Sequence, residues 1–214
     1  MGGRLSTTMG DNRRMRILSF PEAGTPAPLR AQVWELQQEA WPPADPGAEG
    51  GPRATHDPAL RPTSMLLVDD GAADPTDGTV LAALDILTKT LTHAGRSYRA
   101  GGLSTVVTRR AVRGLGHGAR LVAAARRAMA GSGLDLGVFT CDRHLRDFYT
   151  GAGWQPLPGT VLVGGTPEAP FPSDRPPFDK VTMADFFSAA ARRHRADFRS
   201  ARIELYPGEI DRLW

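Results

Sequence analysis

The chain has 214 residues, of which 41% are hydrophobic and 23% charged, as is typical of a single globular domain rather than a disordered or fibrous chain. Arginine and lysine outnumber aspartate and glutamate by 26 to 23, and a net charge of +3 spread along the chain is a poor footprint for nucleic acid. The single cysteine, Cys141, excludes an intrachain disulfide and fits a reducing cytoplasm, while no apolar run reaches the ~20 residues of a membrane-spanning helix.

Short apolar runs alternate with turn residues in the first half of the chain, and one longer stretch has helical periodicity. Leu29, Val33 and Leu36 recur at the spacing of one helix face. Three later runs separated by turns predict an antiparallel meander. The predicted elements, in chain order, are a flexible leader at residues 1–14, a strand at 15–20, a helix at 28–40, a loop at 42–62, and strands at 63–68, 79–92 and 102–108.

A basic, glycine-rich turn follows the last of these strands and leads directly into an amphipathic helix. Arg113-Gly114-Leu115-Gly116-His117-Gly118 lacks both the G-x-G-x-x-G pattern of dinucleotide sites and the Lys-Ser/Thr ending of a P-loop. Glycines allow close approach of the backbone to an anion, the helix N-terminus offers unpaired N–H groups, and arginines add positive charge. The turn therefore predicts a cradle for a pyrophosphate.

The second half of the chain continues the alternation of helices and strands. Asp142 is a predicted N-cap for the helix that carries Phe148 and Tyr149. Cys141 ends a buried strand, so we expect a packed thiol rather than a nucleophile. The predicted elements are a helix ending at residues 131–133, a strand at 134–141, a helix from 143, a strand at 160–163, a loop at 164–177, a strand at 181–183, a basic helix at 188–199 and a strand at 203–206.

Two motifs in this order resemble those of the GNAT superfamily of N-acetyltransferases. The first is Arg113-x-x-Gly116-x-Gly118, and the second is Phe148-Tyr149 followed by Gly153-Trp154. The predicted order β-α-β-β-β-α-β-α-β over residues 15–163 is similar to that of the family. The resemblance implies an α/β (α+β) GNAT fold, in which a mixed, mostly antiparallel sheet is splayed into a V and flanked by helices. It also implies one acetyltransferase domain over residues 15–214.

The same resemblance implies acetyl-CoA as co-substrate, with no metal, and a set of binding residues. The backbone of Val106, Val107 and Thr108 would pair with the pantetheine arm, and Tyr149 would protonate the departing thiolate. Asp142, which stands where many members carry an asparagine, would also contact the cofactor. The pyrophosphate would lie against Arg113, Gly114, Leu115, Gly116, His117 and Gly118.

The sequence departs from the family at the position of the general base. Many members carry a glutamate on the fourth strand, where this chain has Ser104, and a hydroxyl is no base at neutral pH. Asp85 and the terminal carboxylate of Trp214 are the alternatives, although either could be purely structural. Ser104 would then contact the substrate.

The last twelve residues, 203–214, resemble the end of aminoglycoside 2'-N-acetyltransferases, which also finish in an acidic segment and a tryptophan. By this resemblance residues 178–214 complete the substrate site, and Trp214 and Asp45 contact the amine.

The expected partner is a small-molecule amine, not nucleic acid or membrane, and a homodimer is left open. The main alternative is an acyl-CoA-binding module without turnover; a nucleic-acid binder that uses the arginines near residue 193 is weaker.

Overall fold

A computed structural model describes residues 15–42, 51, 52, 54–69 and 74–206. The predicted leader, Asp45 and Trp214 therefore lie outside the described residues. In chain order the elements are β1 (Met15–Pro21), α1 (Ala27–Ala40), β2 (Thr63–Asp69), β3 (Thr79–His93), β4 (Arg96–Thr108), α2 (His117–Gly131), β5 (Leu136–Asp142), α3 (Arg146–Gly151), β6 (Gln155–Pro156), β7 (Val161–Gly165), β8 (Pro170–Pro172), β9 (Lys180–Phe186), α4 (Ala189–Arg193) and β10 (Arg202–Glu204).

The main sheet has seven strands in the order β1-β2-β3-β4-β5-β9-β6, and a second sheet has the order β10-β7-β8. Strands β2 to β4 form the predicted antiparallel meander, and β1 adds an edge strand antiparallel to β2. Strands β4 and β5 are parallel but pair only at Ala100–Leu136 and Gly101–Gly137. Beyond these two pairs the strands diverge, which opens the predicted V and confirms the fold class.

Helices cover both faces of the meander. On one face Leu29 and Leu36 of α1 pack against a cluster that includes Leu66 and Val107. On the other face α2 contributes its predicted inward residues to the larger core; these are Leu121, Val122, Ala125 and Met129. The amphipathic periodicities of the two helices therefore fix which face of the sheet each one covers.

Two predictions for the C-terminal part are wrong in extent. Strand β9 is longer than residues 181–183 and lies inside the main sheet, paired along its whole length with β5. The basic helix predicted at 188–199 is broken into α4 and a 3-10 turn, Arg195–Phe198. The break lets fully buried Phe198 stack against the rings of Tyr98 and Phe186. This burial overrides the local helical propensity. Within the described part of the chain, every helix is too short or too polar to cross a bilayer.

Candidate active site

A β-bulge in β4 marks the point where the sheet begins to open. Ala83 pairs with Val107 and Asp85 pairs with Ser104. Between these two pairs, β4 therefore contains one residue more than β3. Thr105 has φ of 50°, in the left-handed region that side chains rarely adopt. A bulge leaves one residue of the longer strand without a ladder partner, and Val106 at this bulge lines the cleft described next.

A cleft of about 550 Å³ runs from this bulge to the N-terminus of α2. Apart from Leu115, all of the residues predicted to hold the pantetheine arm and the pyrophosphate line it, and Tyr149 lies at its inner end. Leu115 is 68% exposed and points away. The lining residues are Ala40, Val106, Val107, Thr108, Val112, Arg113, Gly114, Gly116, His117, Gly118, Ala119, Leu145, Phe148 and Tyr149.

The outer end of the cleft has the properties of an anion site. Gly114 and Gly116 have φ of 81° and 82°, which favours glycine at both positions. Gly116 caps α2 without a side-chain hydrogen bond, and the helical bonds begin when the Arg120 amide donates to the Gly116 carbonyl. The amides that precede Arg120 therefore have no helical acceptor and point out of the helix end. Arg113, whose Nε donates to the Thr108 carbonyl at 3.0 Å, stands beside them.

Gly118 lines the cleft and also lies at a tightly packed position. A Cβ there would lie 2.7 Å from Thr108 Oγ1 and 3.4 Å from the Phe148 ring. The missing side chain thus lets α2 pack closely on β4 and α3. Packing is therefore a second reason for glycine here, and the contact of the Gly118 backbone with the pyrophosphate stays a prediction.

A second cavity, of about 280 Å³, lies in the fork between β4 and β5. It shares Val106, Leu145 and Tyr149 with the first cleft, so the two meet around these three residues. The remaining lining residues are Trp41, Leu103, Ser104, Thr105, Thr140, Cys141, Asp142, Phe178 and Lys180.

Asp142 faces this second cavity rather than the phosphate end of the cleft. It makes no N-capping hydrogen bond, and its carboxylate instead accepts a hydrogen bond from Lys180 Nζ. The predicted cap is therefore wrong, because β9 brings a cation across the sheet to this carboxylate.

Tyr149 and Cys141 are both held in their protonated forms. Burial raises the pKa of Tyr149 well above its usual range. Burial also raises the pKa of Cys141 to about 11, so at neutral pH it is a thiol and not a nucleophile, as the sequence predicted. Tyr149 is thus a phenol donor at the junction of the two cavities.

Asp85 and Ser104 are brought together, but in a manner that the sequence did not predict. Ser64 Oγ donates to one carboxylate oxygen of Asp85, and Thr105 Oγ1 donates to the other at 2.6 Å. Burial raises the pKa of Asp85, and these hydrogen bonds offset the effect only in part. Ser104 Oγ lies 3.1 Å from His56 Nε2.

His56 and Glu22 are the two site residues that sequence reasoning missed. Glu22 follows β1, and His56 lies in the segment predicted as a loop. Neither belongs to a motif, and both come near Ser104 only through the fold. The sole sequence signal was that His56 is one of only five histidines in the chain.

Comparison with known proteins places the fold. No family model matches the chain, and no curated protein matches it significantly. Escherichia coli ElaA is 13% identical, with a TM-score of 0.51 over 80% of this chain and 99% of its own. A probable N-acyltransferase from Enterococcus faecalis V583 is 14% identical, with a TM-score of 0.50 over 69% of this chain and 33% of its own. An acyl-CoA N-acyltransferase from Pseudomonas aeruginosa is 18% identical, with a TM-score of 0.49 over 80% and 99%. The first two likenesses, with TM-scores of 0.50 or more, show that the chain shares the fold of these proteins, which is the GNAT fold that the sequence predicted.

Proposed function

We propose that this protein is an acetyl-CoA-dependent N-acetyltransferase that acts on a primary amine of a small polar molecule by direct attack in a ternary complex. The observation that carries the proposal is the pair of cavities that meet at Val106, Leu145 and Tyr149. One cavity ends at an anion-binding helix terminus, and the other is open to an acceptor. A thioester at their junction would be in reach of an acceptor amine and of the phenol.

Each part of the cleft has a role in this proposal. The α2 N-terminus and Arg113 bind the pyrophosphate, and the backbone of Val106, Val107 and Thr108 binds the pantetheine arm. A backbone N–H group at the bulge polarises the thioester carbonyl. The amine nitrogen attacks that carbon, the C–S bond breaks, and the thiolate takes the Tyr149 proton while the phenolate recovers a proton from the new amide nitrogen.

The charges that line the second cavity bear on the kind of amine that it accepts. Asp142 is the one acidic residue among the described residues that line the second cavity, and Lys180 neutralises it. This favours a small amine over a polycation. An aminoglycoside-like amino sugar stays the narrower hypothesis, since it rests on residues 203–214 and on Asp45, most of which lie outside the described residues. Phe178 and Lys180 line the cavity, which supports a contribution of residues 178–214 to the substrate site.

The test of the proposal is the release of free CoA from acetyl-CoA, followed with a thiol reagent, in the presence of spermidine, simple amino acids, glucosamine or kanamycin. We expect release that depends on one of these amines and on enzyme concentration. Tight acetyl-CoA binding without amine-dependent release would instead establish the alternative, an acyl-CoA-binding module.

Charge reversal at the anion site should weaken acetyl-CoA binding by at least about tenfold, because one charge-assisted hydrogen bond contributes about 1.5–3 kcal/mol. The change is Arg113→Glu, measured by calorimetry. Arg127→Glu, at an exposed position of α2 that is not among the residues lining the cleft, alters the net charge equally and is the matched control. Equal affinity in the two variants would contradict the assignment of the α2 terminus to the pyrophosphate.

A further inference from the structure

Three side chains from distant parts of the sequence form a continuous hydrogen-bonded chain that ends in the second cavity. His56 Nδ1 lies 3.2 Å from Glu22 Oε1, and its Nε2 lies 3.1 Å from Ser104 Oγ. The imidazole and the Glu22 side chain are 6% and 9% exposed. Ser104 is the member that faces the cavity.

We propose that Glu22, His56 and Ser104 form the proton relay that deprotonates the acceptor amine, with Ser104 as the contact and His56 as the base. The inference rests on the proposed function, since it supplies the base for that reaction. It replaces both earlier alternatives, Asp85 and the carboxylate of Trp214.

The hydrogen bonds of Glu22 set the direction of the relay. Its Oε1 accepts from the Thr55 amide at 2.7 Å and from the Thr55 hydroxyl at 3.2 Å. Burial raises the pKa of Glu22, but the hydrogen bonds from His56 and Thr55 outweigh it, and the pKa of this carboxyl is lower than usual. An ionised Glu22 must receive a proton from Nδ1, which leaves the Nε2 lone pair for Ser104.

Asp85 supports the relay from the neighbouring strand. Its Oδ2 lies 3.9 Å from His56 Nδ1, beyond hydrogen-bond distance but next to the ring nitrogen that faces Glu22. The same oxygen accepts from Thr105, the residue with the positive φ at the bulge. Asp85 thus links β3 to the bulge of β4 through Thr105 and lies beside the proposed base.

Glu22, His56 and Asp85 are also close enough together to be considered as metal ligands. Their oxygens, however, already accept hydrogen bonds from Thr55, Ser64 and Thr105. A cation would have to compete with these hydroxyl and amide donors for the carboxylate oxygens. The arrangement is that of an acid–base relay.

The relay moves one proton from the substrate ammonium to His56. The substrate ammonium gives a proton to Ser104 Oγ, whose own proton moves to His56 Nε2, and the imidazolium stays hydrogen-bonded to Glu22. The neutral amine can then attack. The imidazolium loses its proton to solvent after product leaves, so each turnover releases one proton in addition to CoA thiol and amide.

The test compares two nucleophiles in His56→Gln. With the best amine of the panel, which is an ammonium ion at pH 7, we expect turnover to fall by about 10²–10⁴-fold. With hydroxylamine, which is already neutral at pH 7, turnover above the uncatalysed background should stay within a few-fold of wild type. Added imidazole should restore part of the lost rate in His56→Ala, which leaves room for it, and exposed His144→Gln is the matched control.

The outcomes separate this inference from the proposed function. An equal loss with both nucleophiles would show a structural role for His56, and unchanged turnover with both would show no role; either result overturns the relay while leaving an active wild-type transferase. An acetyl group found on Ser104 by mass spectrometry would also overturn it, since Ser104 would then be a nucleophile. Absence of turnover in the wild type would instead refute the proposed function.

Discussion

Replacing Tyr149 with phenylalanine should lower kcat by a factor of about 10²–10⁴, the usual contribution of a positioned proton donor, and should leave acetyl-CoA affinity unchanged. Tyr149 lies where the two cavities meet, and burial raises its pKa so that the phenol is protonated throughout the neutral range. The substitution keeps the ring, which meets the rings of Phe139 and Phe148 edge-to-face at centroid distances of 5.0 and 4.9 Å. Only the departing thiolate loses a partner.

Tyr98→Phe is the matched control for this experiment. Tyr98 is also buried, and in the described part of the chain its hydroxyl has no hydrogen-bond partner. Its removal should change neither kcat nor the free energy of unfolding appreciably. If Tyr149→Phe keeps the wild-type kcat, Tyr149 serves packing alone and the thiolate leaves without its help.

Replacing Trp154 with alanine should reduce the free energy of unfolding by about 3–5 kcal/mol, the usual cost of deleting a large buried aromatic side chain. Trp154 is 1% exposed and meets the Phe139 ring edge-to-face at 4.8 Å. A Cβ at Gly137 would lie 2.6 Å from the indole, so β5 makes room for this ring by carrying glycine there. Alanine would leave a cavity that close-packed neighbours cannot fill.

Trp41→Ala removes the same side chain from a position that is 54% exposed. This substitution should lower the free energy of unfolding by less than about 1 kcal/mol. Urea denaturation of both variants gives the comparison. A similarly small loss of unfolding free energy in the two variants would contradict the prediction. It would mean that the packing of Trp154 contributes little to the stability of the fold.

Those features of the fold that depend on local pattern could be predicted from the sequence. The apolar face of α1, the strands of the meander and the amphipathic α2 follow from periodicity within one element. The position of β9 does not, because pairing between residues 180–186 and 136–142 is a contact between distant segments. The break after α4 likewise follows from the burial of Phe198 among rings of other elements.

In the candidate site, too, local sequence pattern predicts one part, and contacts between distant segments form the other. The predicted anion cradle is contiguous in sequence, so Arg113, Gly114 and Gly116 could be proposed from one turn and its resemblance to the GNAT motif. The relay joins side chains 34 and 48 residues apart, and two of them lie outside any motif. Only the tertiary structure shows that the hydroxyl of Ser104, which cannot act as a base itself, is connected to His56.

The destination of the acetyl group tests the central proposal most directly. Acetyl-CoA labelled with ¹³C in the acetyl group is incubated with the enzyme and the best amine of the panel, and all products are analysed by mass spectrometry. We predict one labelled acetyl group on the amine for each CoA released, and none retained on the protein. Label recovered only as free acetate, or only on unreacted acetyl-CoA, would contradict an N-acetyltransferase.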